Sequence, residues 1–302
     1  MLVIKNATLF DGVHEQLKYP VTILIDGEKI VEVNEGTEYE NTQVIDLGGR
    51  VVMPGLIDCH MHILQAEVPE PDTLLNDRTP GGERQENTDA YACFRGVYSC
   101  KRHLDAGFTT VFDGGGNNFM EAALRECVAK GLVEGPDLYI CGQQITAGRG
   151  HLPGIAHSAC GEWGMREAVR AMLYWGADHI KLKMSAPMRM PGRNTTRSEF
   201  TLPEIRAACD EAHSAGLLVS AHCRGAQSIK DFVNGGGDRI VHGTGIDEEG
   251  IELLLEKGLY VYPTLGSPSR DFPDALVRSK PASAVESLRK KGQEHFDSVK
   301  KM

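Results

Sequence analysis

The stretch Val51-Val52-Met53-Pro54-Gly55-Leu56-Ile57-Asp58-Cys59-His60-Met61-His62 organises the chain. It runs apolar, turns at Pro54-Gly55, resumes apolar and ends in His-x-His. On a β-strand, residues i and i+2 point to the same side. His60 and His62 are therefore aimed at one spot, as two imidazoles must be to share a metal ion. The alternative is two polar residues on a solvated strand face. Leu56 and Ile57 argue against that, because they predict a strand buried on both sides. In such a strand two adjacent imidazoles need a partner.

Composition limits the classes open to the chain. Its 302 residues are enough for a large core and more than one domain. With 32 basic and 42 acidic residues the net charge is -10, which argues against nucleic acid and anionic membrane as partners. The 34 glycines suit many tight strand–helix turns. No apolar run is long enough to span a bilayer, and Met1-Leu2-Val3-Ile4-Lys5-Asn6 reads as a strand rather than a signal peptide. The eight cysteines make no C-x-x-C pair. Cys93, Cys100, Cys127 and Cys209 read as small hydrophobes on helices. A cytoplasmic protein is expected.

Upstream of the organising stretch, Leu2–Lys5, Val21–Ile25, Ile30–Val33 and Val44–Asp46 are short apolar runs. Turn residues separate them, and Asp26-Gly27 is a hairpin signal. This predicts a small β-sandwich-like domain over residues 1–53. Downstream, over residues 54–302, strands alternate with helices. The predicted strands are Leu56–His62, Thr109–Asp113, Leu138–Cys141, His179–Met184, Leu217–His222, Asp238–His242 and Leu259–Pro263. Between the first two lies a polar segment, Gln65 to about Thr88, long enough for a lid. Thr201-Leu202-Pro203-Glu204 is a capping box that opens a helix. The alternation predicts an α/β fold with a parallel sheet and helices outside. Seven such units, with polar residues at the C-terminal strand ends, favour a (β/α)8-type barrel lacking its eighth unit.

Those strand ends carry the chemistry. Strand one brings His60 and His62, strand five His222 and strand six His242. Strand four, Asp178-His179-Ile180-Lys181-Leu182-Lys183-Met184, turns Lys181 and Lys183 inward and Ile180, Leu182 and Met184 toward the helices. Each histidine alone reads as structural; four at one end of one barrel read as metal ligands. A lysine facing a barrel core is costly as an ammonium ion. Desolvation lowers its pKa, and the free amine can add carbon dioxide to give a carbamate able to bridge two cations.

The run Pro54-Gly55-Leu56-Ile57-Asp58-x-His60-x-His62 resembles the signature of the amidohydrolase superfamily. Gly176-Ala177-Asp178-His179-Ile180-Lys181, Val219-Ser220-Ala221-His222 and Val241-His242-Gly243-Thr244 resemble its imidazolonepropionase-like and Xaa-Pro or Xaa-Arg dipeptidase-like branch. The resemblance spans nearly the whole chain. It implies a binuclear site, commonly zinc, with His60 and His62 on one ion and His222 and His242 on the other. Carboxylated Lys181 would bridge them, preferred to Lys183 by its place after Ala-Asp-x-Ile. The implied reaction is hydrolysis of a C–N bond in a small amide or dipeptide by a metal-bridging hydroxide. The resemblance also implies that His151 polarises the carbonyl or binds a substrate carboxylate; the alternative is a solvated loop histidine. Arg224 could fork a carboxylate or form a surface ion pair. Asp113 and Asp58 could orient ligand histidines, or Asp113 could only cap a turn.

The family's aspartate at the end of strand eight has no counterpart here. Asp247 reads as a helix cap, Asp271 and Asp274 lie in a Pro-rich loop, and Asp297 lies in the terminal helix. The expectation is a weak or inactive enzyme, a fragment of a longer protein, or a barrel completed by a second subunit in a homo-oligomer. Two rivals remain: a mononuclear deaminase on the same fold, and a metal-binding protein without turnover.

Overall fold

Short apolar runs broken by turn residues, then longer strand–helix alternation, give two units, Met1–Leu56 and Ile57–Met302. A computed structural model describes residues 1–34, 42–65, 89–148, 150, 156–185, 197–266 and 282–302. The segment read as a lid, the loop holding His151, and Asp271 and Asp274 lie outside the described residues.

In the first unit β1 (Leu2–Leu9), β2 (Lys18–Asp26) and β3 (Lys29–Asn34) run antiparallel in turn, and β4 (Gln43–Asp46) and β5 (Val51–Val52) lie parallel to β1. Asp26 pairs with Lys29, so the β2–β3 turn is two residues long, and Gly27 takes the φ of 59° that such a turn requires. Val3, Ala7, Val21 and Ile23 are buried. The described strands form one mixed sheet, not the expected sandwich. β5 is paired to β1 within this unit, and the unit ends at Leu56, close to the expected boundary at residue 53.

The second unit contains β6 (Leu56–Met61), α1 (Asp89–Asp105), β7 (Phe108–Asp113), α2 (Met120–Ala129), β8 (Asp137–Tyr139), β9 (Ile145–Thr146), β10 (His157–Ser158) and α3 (Gly161–Tyr174). It continues with β11 (Ile180–Lys183), α4 (Leu202–Ser214), β12 (Val219–Arg224), α5 (Ala226–Asn234), β13 (Arg239–Thr244), α6 (Glu248–Lys257), β14 (Tyr260–Tyr262) and α7 (Ala282–Lys301). The sheet orders are β6-β7-β8 and β10-β9-β11-β12-β13-β14. They meet where Asp178 N donates to Ile140 O at 2.7 Å and Ile140 N donates to the Asp178 carboxylate at 2.9 Å. Parallel pairing of β11 through β14 and of β7 with β8 builds the expected (β/α)8-type wall. β9 and β10 were not expected, since two residues carry no periodicity.

Local signals set the helix ends. Thr201 and Glu204 form the capping box of α4. Asp247 caps α6 by accepting from Gly250 N at 2.9 Å. Ile180 and Leu182 of β11, and Met184 just after it, share a core with Met165, Val169 and Met172 of α3 and Ile205, Ala208 and Ala212 of α4. Each Ile, Leu, Val or Met side chain among these contributes roughly 1.5–3 kcal/mol of transfer free energy. The same alternation turns Lys181 and Lys183 to the other face, where both are buried. β6 departs from expectation: Leu56 and Ile57 are 39% and 56% exposed, because β6 is the edge of its sheet among the described residues.

Candidate metal centre

Four imidazoles and an amine converge at the C-terminal ends of β6, β11, β12 and β13. Ring centroids lie 5.2 Å apart for His60 and His62, 5.8 Å for His60 and His242, and 4.7 Å for His222 and His242. The Lys181 Nζ is 3.3 Å from His60 Nδ1 and 3.4 Å from its Nε2. Strand register sets part of this: Lys183 stands beside His222, and Cys223 beside His242. His60, His62, Lys181, His222 and His242 are thus brought together. His151 lies outside the described residues.

Hydrogen bonds orient the rings. A carbonyl can only accept, so His62 Nδ1 carries a proton and donates to Gly115 O at 2.8 Å, which leaves Nε2 with its lone pair. Gln144 Nε2 donates to the same carbonyl at 3.2 Å. His242 Nδ1 pairs with Thr264 Oγ1 at 2.6 Å. Gly114 leaves room for both rings of β6: a Cβ there would stand 2.5 Å from His60 Cε1 and 3.0 Å from His62 Cε1.

The aspartates act through backbone. Asp113 accepts from Ile63 N and Gly115 N, both at 2.7 Å, so it holds the turn beside His62 rather than a ligand ring. Asp58 accepts from His60 N at 3.0 Å and faces His103 Nε2 at 3.7 Å. Arg224 is buried rather than at the surface, with Nη1 donating to Thr244 Oγ1 at 3.1 Å. His179, which the sequence reading left without a role, donates Nε2–H to Asp113 O at 3.1 Å.

Burial governs the charge states. Burial first, and the Lys183 ammonium second, push His62 down to about 3. His60 and His242 are also held well below the ordinary imidazole value, by burial and then by Lys181 for His60 and Arg224 for His242. Burial lowers Lys181 to about 8 and Lys183 well below the usual lysine value. Neutral imidazoles and a deprotonatable amine are the species that ligate metal and take up carbon dioxide.

The donor set suits divalent metal with one condition. Among the described residues no three of His, Cys, Asp or Glu are gathered to hold an ion unaided. Four neutral rings also bring no negative charge, and Asp113 is already committed to two backbone N–H groups. A carbamate on Lys181 would supply the missing anion. Sequence reading missed Gly114, Gln144 and Thr264. Thr264 follows the last residues of a strand end and was legible as such; the other two act by close approach or through backbone, which leaves no spacing signal.

Comparison with known proteins identifies the family. Residues 51–292 match the amidohydrolase family. The ochratoxinase of Aspergillus niger is 29% identical over 237 residues, covering 70% of this chain and 47% of that protein. The chain therefore spans about half the length of the curated relatives it matches first. A prolidase solved with N-methylphosphonate-L-proline is 30% identical with a TM-score of 0.81, covering 99% of this chain and 74% of the other. A Xaa-Pro dipeptidase with methionine bound in its active site, 24% identical, shares the fold with a TM-score of 0.81 over 99% of this chain and 76% of its own. The chain belongs to the amidohydrolase family.

Proposed function

We propose that this protein hydrolyses the C–N bond of a dipeptide or other small amide at a centre of one or two divalent ions, zinc being the expected metal. The observation that carries the reading is the ring-to-ring gathering of His60, His62, His222 and His242, with the buried amine of Lys181 against His60. The likeness to a prolidase and an ochratoxinase supports amide and peptide bonds as the substrate class.

The chain's own residues divide the work. His60 and His62 would hold one ion and His222 and His242 the other. The Lys181 amine, adding carbon dioxide, forms one C–N bond and releases one proton to solvent; the resulting carbamate would bridge the pair. Ions bound there polarise a carbonyl and lower the pKa of water toward neutrality. Gly115 O and Thr264 Oγ1 keep the rings of His62 and His242 turned with a nitrogen toward the cluster. Arg224 and His151 are the proposed contacts for a substrate carboxylate or carbonyl.

The test combines metal analysis of the purified chain, ¹³C NMR after equilibration with ¹³C-bicarbonate, and a screen of dipeptides and small amides. The reading expects bound zinc, a carbamate signal lost in Lys181→Met, and turnover lost with it. Metal bound without a carbamate would favour a mononuclear deaminase. No metal and no turnover would overturn both.

A further inference from the structure

The backbone that presents His242 is strained. His242 has φ 76° and Thr264, bonded to its ring, has φ 49°. Non-glycine residues in this region cost about 1–3 kcal/mol each and persist only where surroundings over-determine them. The surroundings here come from α7, about fifty residues later in the chain. His295, 1% exposed, pairs through Nδ1 with Thr244 Oγ1 at 2.8 Å and through Nε2 with Pro263 O at 2.5 Å. One turn of helix on, Ser298 Oγ accepts from Gly245 N at 2.8 Å.

These bonds close a ring: His295 to Thr244, along the backbone to His242, across to Thr264, back one residue to Pro263 and again to His295. The proton positions follow. Pro263 O can only accept, so Nε2 is protonated and the neutral ring's Nδ1 accepts from the Thr244 hydroxyl. The same hydroxyl oxygen accepts from Arg224 Nη1.

We infer that His295 is a positioning residue that locks the ends of β13 and β14 together and so aims the His242 ring. Its consequence for metal binding rests on the function proposed above; the lock itself does not.

The full chain is the test object, as wild type, His295→Ala, His295→Gln and the near-isosteric Thr244→Val. ¹⁵N NMR of histidine-labelled metal-free protein reads the His242 ring, assigned by its loss in His242→Ala. Wild type should show a fixed tautomer. His295→Ala and Thr244→Val should show averaged signals, and His295→Gln, which keeps a donor for Pro263 O, should recover part of the order. Co²⁺ titration followed by visible absorption should show affinity reduced about 10–100-fold in His295→Ala at the ion that His242→Ala abolishes. Should His295→Ala fail to fold, Thr244→Val decides. Unchanged His242 signals in the folded variants overturn the lock whatever the cobalt result. If His242→Ala leaves Co²⁺ binding intact, the metal reading falls and the ring signals alone judge the lock.

Discussion

The two halves of the site are built differently. On the β6–β7 side, His60 and His62 are held by what lies close by: Asp58 under the His60 backbone, Gly115 O on the His62 ring, and the absent side chain of Gly114. On the β12–β13 side, His242 is held by side chains from Thr264 and, through Thr244, from α7. The first half rests on backbone and on space, the second on a chain of side-chain hydrogen bonds. Steric room is lost all at once when a single atom is added. A side-chain network is lost by degrees, since each bond contributes about 0.5–1.5 kcal/mol net.

Lys181, whose amine stands beside His60 and is the proposed bridge, should give the largest effect. Lys181→Met is expected to abolish metal binding and lower turnover at least about 10³-fold, while removing a buried amine leaves thermal stability equal or higher. Metal content, kinetics and a thermal melt check it. Gly114→Ala should come next: its Cβ meets His60 at 2.5 Å, so cobalt affinity should drop by more than the loss caused by Thr264→Val. Equal losses in the two variants would erase the proposed difference between the halves.

A pH experiment separates them further. Glu121, on α2, is fully buried with neither carboxylate oxygen hydrogen-bonded among the described residues, and burial followed by the charge of Asp113 raises its pKa to about 8. A carboxyl whose folded pKa lies above its unfolded value of 4.5 favours the fold below that value, and the advantage is lost as pH rises through about 8. Wild type should therefore lose stability from this group as pH rises from 5 to 8. Glu121→Gln should flatten that slope in denaturant melts. A wild-type slope unchanged by the substitution would remove Glu121 from the account. Asp58→Asn should have the smallest effect, about 1 kcal/mol or less in stability, because it weakens one hydrogen bond to a backbone N–H without opening a cavity.

The barrel wall was legible because its signals are local. Apolar runs of strand length, glycine breaks and the Thr201–Glu204 capping box each act within a few residues. The inward turn of Lys181 and Lys183 followed from period two alone, and their burial agrees with it. The His-x-His pair was read the same way, although the supporting argument from Leu56 and Ile57 did not hold: both are exposed at the edge of the β6 sheet. Burial of a strand depends on what flanks it, and apolar character does not report that.

The donor types at the site, four imidazoles and two inward amines, were set by residue identity and strand parity, which any reader of the text can count. Their orientation was not. Which nitrogen of His62 keeps its lone pair depends on a carbonyl at residue 115, the turn of the His242 ring depends on a hydroxyl at residue 264, and the backbone strain at His242 is held from α7. Contacts between segments about twenty to fifty residues apart leave no period in a sequence, because they exist only once the strands have brought those segments together.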